Sequence, residues 1–386
     1  MKITIKILLF LIISNFSYTQ WVQLPNGLGE TRIYSIAVND NKIIAGTEGK
    51  GVFLTTDNGN NWEPIGLSPQ SIGCVAFSGN NILAGTESSG VFLTSDNGKN
   101  WFNTLKYDMI TTITSSSNII FAGGFSGIYI STDNGNSWTK NESINSSIGN
   151  IVNIGNTVIA SSPVGIYKST DNGDNWVMST TGLEPGEYFA LGLSDKYLYT
   201  SSGGTIYLST DFGTNWTKKT NVKADIIFTL AVLGNNVFAG TLRENIFLST
   251  DNGTSWAKKD KGLIGRTVKT LVISNENIFA ATDAGVFRAK ISDLITTYVT
   301  EDFENRNIFL ISPNPARKYI DISAISKDLN FSSENTKVEL FNSLGDIVLS
   351  QSINLISDKV RLWIDFLPAG HYYLKFGNHF EKFVIF

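Results

Sequence analysis

The 386-residue sequence has one cysteine and two histidines. Cys74 has no partner for an intrachain disulfide, and because it lies in an apolar stretch we expect a buried structural thiol. Both histidines, His371 and His379, lie near the C-terminus. Residues 20–290 therefore have no His or Cys cluster for a metal and no histidine for a Ser-His-Asp triad. We expect neither a metal nor a cofactor.

Charge is also scarce. Charged residues make up 17% of the chain, against about 25% in an average globular protein, and the formal net charge is -4. No basic stripe is present, so nucleic acid and anionic membranes are excluded as expected partners. The abundance of Gly, Asn, Ser and Thr together with 12% aromatic residues is typical of a turn-rich β protein.

The N-terminus has the pattern of an export signal. Basic Lys2 and Lys6 precede the apolar run Ile7–Ile13, and small residues at Ser17 and Thr19 fit a signal-peptidase site. We interpret residues 1–19 as a signal peptide. An uncleaved anchor is the alternative, but the run is far shorter than the about 20 residues needed to span a bilayer. No cysteine follows to carry a lipid anchor, and we expect no transmembrane segment after cleavage.

The strongest pattern is a motif that recurs with a period of about 40 residues, which indicates a repeat fold. Each copy has the form Asp-x-Gly-x-x-Trp. The copies are Asp57, Gly59 and Trp62; Asp96, Gly98 and Trp101; Asp133, Gly135 and Trp138; Asp171, Gly173 and Trp176; Asp211, Gly213 and Trp216; and Asp251, Gly253 and Trp256. Trp21 stands one period earlier, as a copy without its turn.

Each repeat predicts four antiparallel strands, as in a propeller blade. In the first repeat these are Ile33–Val38, Lys42–Thr47, Val52–Thr55 and a short strand from Trp62. The second strand ends in small residues, which suit the crowded inner part of a ring. The last repeat lacks its fourth strand, and the segment from Trp21 supplies it. We therefore predict an all-β, seven-bladed β-propeller over residues 20–290, closed by the N-terminal strand; the alternative is an open solenoid.

These repeats resemble the Asp-box, or BNR, repeat found in sialidases, sortilin-type receptors, xyloglucan-active hydrolases and photosystem II assembly-factor propellers. We expect a structural role: Asp57 accepts backbone N–H bonds, Gly59 supplies a positive φ and Trp62 enters the blade. A calcium loop is the alternative, but one carboxylate per turn falls short of the six to eight oxygens that calcium takes.

After a polar linker, 291–308, alternating short strands predict a small C-terminal β-sandwich over 309–386. The elements Ser312-Pro313-Asn314-Pro315, Leu344-Gly345 and Leu367-Pro368-Ala369-Gly370-x-Tyr372 resemble the type A sorting domain of the Bacteroidetes type IX secretion system. This resemblance implies the secretion machinery as a partner and a secreted or surface-attached protein that passes through the periplasm. A carbohydrate-binding sandwich is the alternative.

A catalytic site is harder to assign. Arg32, Arg243 and Arg266 are expected on one face of three adjacent blades, where arginine side chains suit a carboxylate ligand. A sialidase also needs a tyrosine nucleophile with a glutamate partner, for which Tyr34, Tyr188, Glu187 and Glu30 are available. No spacing assigns these roles, and Arg32-Ile33-Tyr34 lacks the proline of the sialidase Arg-Ile-Pro motif. We therefore predict non-catalytic binding of a protein or glycan, with a sialidase-like or other glycoside hydrolase as the alternative.

Overall fold

The computed structural model describes residues 20–29, 31–116, 118–263, 267–295, 309–312, 316–324, 336–342, 345–353, 359–376 and 379–385. The predicted signal peptide, the candidate site residues Glu30 and Arg266, most of the predicted linker and the Pro-Asn-Pro motif lie outside the described residues.

The described part of residues 20–290 forms seven four-stranded antiparallel sheets. The first strand is Val22–Gln23 (β1). Blade one is Ile33–Asn39 (β2), Lys42–Thr47 (β3), Val52–Thr55 (β4) and Glu63–Gly66 (β5). Blade two is Ile72–Ser78 (β6), Asn81–Thr86 (β7), Val91–Thr94 (β8) and Phe102–Leu105 (β9). Blade three is Ile110–Ser116 (β10), Ile119–Gly124 (β11), Gly127–Ser131 (β12) and Thr139–Lys140 (β13).

The remaining blades follow the same order. Blade four is Asn150–Ile154 (β14), Thr157–Ser162 (β15), Gly165–Ser169 (β16) and Val177–Ser179 (β17). Blade five is Leu191–Leu193 (β18), Leu198–Ser202 (β19), Thr205–Ser209 (β20) and Thr217–Lys218 (β21). Blade six is Ile227–Leu233 (β22), Asn236–Thr241 (β23), Ile246–Ser249 (β24) and Ala257–Lys258 (β25). Blade seven combines Val268–Ser274 (β26), Asn277–Thr282 (β27) and Gly285–Lys290 (β28) with β1.

The two ends of the repeat array close the ring. Strand β1 pairs antiparallel with β28, so that Val22 lies opposite Arg288 and Gln23 opposite Phe287. Trp21 is 2% exposed and packs among side chains of blades six and seven. The predicted seven-bladed propeller is confirmed, and the open solenoid is excluded.

Small residues at the ends of the second strands allow neighbouring blades to approach closely. A Cβ placed on Gly46 would lie 2.8 Å from Cγ2 of Ile72, the first residue of the next inner strand. Gly85 stands in the same relation to Ile110. Cys74 is buried beside this contact, as predicted, and burial raises the pKa of its thiol to about 12.

The core consists of apolar clusters that join adjacent blades. Trp62, 3% exposed, packs with Phe279 and Val286 of blade seven as well as with its own blade. The indole of Trp101 donates a 2.8 Å hydrogen bond to the carbonyl of Ile65 in blade one. The box tryptophans therefore bind their blade to the preceding one, whereas the sequence placed them only within their own blade.

The chain leaves the propeller through a short helix, Ile291–Ile295 (α1), whose Ile291 and Leu294 pack against blades six and seven. The first five residues of the predicted linker thus belong to the propeller's packed surface. No helix in the described part of the chain is long and apolar enough to cross a membrane.

The C-terminal domain has two antiparallel sheets, as predicted. Its strands are Phe309–Ser312 (β29), Tyr319–Ala324 (β30), Thr336–Phe341 (β31), Ile347–Ile353 (β32), Lys359–Trp363 (β33), Gly370–Phe376 (β34) and His379–Ile385 (β35). One sheet has the order β29-β30-β33 and the other β32-β31-β34-β35. Buried side chains from both sheets, including Ile320, Leu340 and Leu374, form one core.

Candidate functional site

The propeller has two faces with different chemistry. On the first, called the loop face, the segment entering each blade meets the loop between its second and third strands. Examples are the hydrogen bonds from Glu48 N to Arg32 O (3.0 Å) and from Phe125 N to Met109 O (2.9 Å). On the opposite face, the box face, the Asp-box turns meet the turns between first and second strands, as in the 3.0 Å bond from Asn172 N to Asn156 O.

The Asp boxes use their carboxylates to hold their own turns. Asp57 accepts hydrogen bonds from the side chain (2.7 Å) and backbone N–H (2.9 Å) of Asn61 and from the hydroxyl of Thr55 (2.7 Å). These bonds lower the pKa of Asp57 to about 2. Gly59 has φ +85°, as the turn requires. The same bonding recurs at Asp96, Asp133, Asp171, Asp211 and Asp251.

The structure describes two of the three predicted arginines, Arg32 and Arg243. Nη1 of Arg32 lies 3.0 Å from Oε1 of Glu48, and the hydroxyl of Tyr34 donates a 2.9 Å bond to the same oxygen. Arg243 is exposed on the loop face of blade six, in a left-handed conformation with φ +66°. Glu48 was missed in the sequence, although it directly follows the small-residue end of a second strand.

Tyr34 lies at a β-bulge at the loop-face end of the inner strand of blade one. The pairing of β2 with β3 shifts between Ile33 and Ser35, and equivalent shifts occur in blades two, three, six and seven. Bulges redirect a side chain out of the regular alternation. The residues at these shifts are Tyr34, Gly73, Thr111, Phe228 and Lys269.

Three of these residues, Tyr34, Phe228 and Lys269, lie where blades one, six and seven meet, beside Arg32 and Glu48. The amine of Lys269 lies 4.1 Å from the ring centroid of Phe228. Burial lowers the pKa of Lys269, and the positive charge of Arg32 lowers it further. Burial raises the pKa of Tyr34, and its bond to Glu48 raises it further. We call Arg32, Tyr34, Glu48, Phe228 and Lys269 the polar cluster.

The other tyrosine candidate lies in the core. Tyr188 is 2% exposed and donates a hydrogen bond to the carbonyl of Glu184, and its ring centroid lies 5.9 Å from that of Tyr207 in an edge-to-face arrangement. Burial raises the pKa of Tyr188. Glu187 is exposed, so the two neighbours point into different environments. This geometry favours a packing role for Tyr188.

An apolar patch on the loop face of blades three and four was not anticipated. Its members are Tyr107, Met109, Phe125 and Val164, which are 89%, 42%, 69% and 58% exposed. A signal was present in the sequence, because Phe125 occupies the loop position where the first two repeats have Glu48 and Glu87. Large apolar side chains exposed together on one face of a domain mark interaction sites.

A buried carboxylate holds the apolar patch in place. Asp108, 7% exposed, accepts hydrogen bonds from the backbone N–H of Met109 (2.8 Å) and from the hydroxyl of Tyr129 (2.9 Å). Its neighbour Tyr107 has φ +63°, which turns this side chain outward. Burial, followed by the bond to Asp108, raises the pKa of Tyr129 to about 12. These hydrogen bonds anchor the backbone of the loop that carries Tyr107 and Met109.

Comparisons with known proteins identify the C-terminal sandwich. Residues 310–385 match the model of the secretion system C-terminal sorting domain. The C-terminal domain is a secretion-system sorting domain. The sorting domain directs the protein through type IX secretion to the cell surface or the extracellular space. No curated protein sequence matches the chain.

Solved structures share the propeller fold at low sequence identity. YCF48 from Cyanidioschyzon merolae is 18% identical over 70% of this chain and 98% of its own, with a TM-score of 0.59. PorZ, a surface component of the type IX secretion system of Porphyromonas gingivalis, is 11% identical over 93% of this chain and 60% of its own, with a TM-score of 0.57. A GH74 xyloglucanase from Xanthomonas campestris is 14% identical over 71% of this chain and 54% of its own, with a TM-score of 0.57.

Proposed function

We propose that the protein is a non-catalytic propeller that binds a protein or glycan ligand through its loop face after export by the sorting domain. The observation that carries this proposal is the apolar patch around Phe125, which a buried carboxylate holds in an exposed conformation. A site ordered before binding loses little conformational entropy when the ligand arrives.

The chemistry of the apolar patch favours a protein ligand. Tyr107 and Phe125 are large aromatic side chains with most of their surface free, and aromatic residues dominate the energetics of protein interfaces. Among the solved structures that share this fold, one YCF48 structure contains a bound peptide. This precedent supports binding as a use of the fold, but the ligand of the present chain is proposed from the patch alone.

Glycoside hydrolysis is a second candidate, favoured by the polar cluster. Tyr34, Glu48 and Arg32 give a hydroxyl, a carboxylate and a guanidinium within hydrogen-bond distance of one another. The electrostatics of the cluster oppose it, because burial and the bond to Glu48 raise the pKa of Tyr34, which disfavours the phenolate that a tyrosine nucleophile needs.

The deciding experiment screens the purified full chain against surface-protein and glycan arrays. We expect a protein ligand whose affinity falls at least about 10-fold in Tyr107→Ser and Phe125→Ser, since each change removes an exposed aromatic anchor. Phe102→Ser is the matched control, because Phe102 is 63% exposed but lies on the outer strand of blade two.

An equal loss of affinity in Phe102→Ser and in the two patch variants would contradict binding through the loop face. Turnover of a fluorogenic sialoside or of xyloglucan oligosaccharides, lost in Tyr34→Phe or Arg32→Ala, would replace the binding proposal with the hydrolase.

A further inference from the structure

A groove with a volume of about 520 Å³ lies on the rim of the propeller between blades five and six. This is within the range of about 300–1,000 Å³ that small-molecule sites occupy. Its lining includes the aromatic Trp256, the polar residues Asn221 and Ser255 and the charged residues Glu244 and Lys258. It is separate from both the apolar patch and the polar cluster of the loop face.

The groove exists because blade five packs loosely against the Asp box of blade six. In blade two, a Cβ on the box glycine Gly98 would lie 2.2 Å from the carbonyl oxygen of Ile65 in the preceding blade. At the equivalent Gly253, the atoms nearest to such a Cβ are 3.7 Å away or more.

The box tryptophan of blade six has no hydrogen bond from its indole to the described residues of the preceding blade. The indole N–H groups of Trp101 and Trp216 bond to the preceding blade, with Ile65 O at 2.8 Å and Ser179 Oγ at 3.0 Å. Nε1 of Trp256, like that of Trp62, has no partner among the residues that the structure describes, although the atom is buried. A buried N–H without a partner costs about 1–3 kcal/mol. The ring itself remains partly exposed in the groove.

We propose that this groove binds a short neutral oligosaccharide, with a sugar ring against Trp256 and ligand hydroxyls bonded to Asn221, Ser255 and Lys258. One face of a pyranose ring carries C–H groups that pack on an aromatic ring, and its rim carries hydroxyls that both donate and accept. A slight turn of the partly exposed indole would let a ligand oxygen accept its N–H.

The charges in the groove favour a neutral ligand. Lys258 is already paired with Glu244 at 3.1 Å and with Asp260 at 3.3 Å. An anion would have to displace one of these carboxylates, whereas a hydroxyl can bond to the pair without separating it. A peptide added to the outer edge is disfavoured, because β25 has two residues and offers few main-chain bonds.

The test titrates the full chain with neutral oligosaccharides of glucose, mannose and xylose in α and β linkages, using calorimetry and ligand-observed NMR. We expect at least one to bind. Asn221→Ala and Trp256→Phe should each weaken it about 5- to 10-fold, which corresponds to one hydrogen bond of about 1–1.4 kcal/mol. Trp256→Phe keeps an aromatic ring but has no indole N–H. This variant therefore distinguishes the contribution of the N–H hydrogen bond from that of ring packing.

A matched control comes from blade five. Lys218 occupies the equivalent outer-strand position and pairs with Glu184 at 2.8 Å, beside Trp216, whose indole is already bonded. Lys258→Met should weaken binding and Lys218→Met should not. The proposal is overturned if no oligosaccharide binds, if only peptides bind, or if Asn221→Ala and Trp256→Phe bind as tightly as the parent protein. Because the loop face is intact in all these variants, their outcome is independent of the proposed protein ligand.

Discussion

The indole N–H of Trp21 donates a 2.8 Å hydrogen bond to the backbone carbonyl of Lys259, 238 residues further along the chain. The backbone N–H of Trp21 bonds in addition to the carbonyl of Lys261 at 3.1 Å. Trp21 thus occupies the position in blade seven that the box tryptophans occupy in the other blades, and it binds the last blade to the sixth.

Replacing Trp21 with alanine should therefore destabilise the whole ring. The side chain is 2% exposed, and removing a buried tryptophan typically costs about 3–5 kcal/mol of unfolding free energy. Val22→Ala is the control on the same segment, because Val22 is 52% exposed and its truncation should cost less than about 0.5 kcal/mol. Urea unfolding measures both. Equal stability of the two variants would show that the N-terminal strand does not close the propeller.

The box glycines offer a second test, of packing between blades. Gly98 and Gly253 have φ +86° and +80°, so alanine is strained by about 1–2 kcal/mol at either site. At Gly98 the new methyl group would also meet the Ile65 carbonyl at 2.2 Å, whereas at Gly253 it has room.

We expect Gly98→Ala to lose at least about 1 kcal/mol more unfolding free energy than Gly253→Ala, since overpacking typically costs about 1–3 kcal/mol. Equilibrium unfolding of the two variants gives the difference directly. A loss at Gly253 as large as that at Gly98 would contradict the loose contact between blades five and six.

The Asp boxes predict an acid-sensitive propeller. In the folded protein the pKa values of Asp57, Asp96, Asp133 and Asp171 are about 2, against an ordinary value of 3.8. Because folding lowers these pKa values, the ionised boxes stabilise the fold above about pH 4 and lose that contribution as the pH falls towards 2. The melting temperature should fall over this interval, and Asp57→Asn should make the fall shallower. An unchanged slope in the variant would show that this box is not linked to folding.

The periodic features of the fold could be predicted because each rests on local chemistry repeated along the chain. Trp21 marked the closing strand, and the positive-φ glycines marked the turns. The burial of Tyr188 could also be predicted from the repeat. It occupies the position at which the other blades have buried aliphatic residues, namely Ile33, Ile72, Ile110, Ile148, Ile227 and Val268.

The apolar patch was harder to predict, because its exposure depends on a contact between separate segments. Phe125 and Met109 come from different loops that a backbone hydrogen bond joins, and Asp108 accepts the hydroxyl of Tyr129 from a separate strand. Similarly, Glu48 joins Arg32 and Tyr34 only through the β-bulge that turns Tyr34 out of the alternation of β2. Such relationships arise from packing and not from the repeat.

The sorting domain has an ion pair whose loss should unfold it locally. Asp321, 4% exposed, takes two hydrogen bonds from Arg361, at 2.7 Å and 2.9 Å, and the guanidinium lies 3.8 Å from the ring centroid of Tyr319. Arg361→Met removes the positive charge that compensates a buried carboxylate, which destabilises more than the loss of an exposed pair. Hydrogen exchange in β30 and β33 should quicken, while that in the propeller stays unchanged. Lys337→Ala is the control, because the side chain of Lys337 is 62% exposed in its pair with Glu339, and exchange as slow in Arg361→Met as in this control would contradict the prediction.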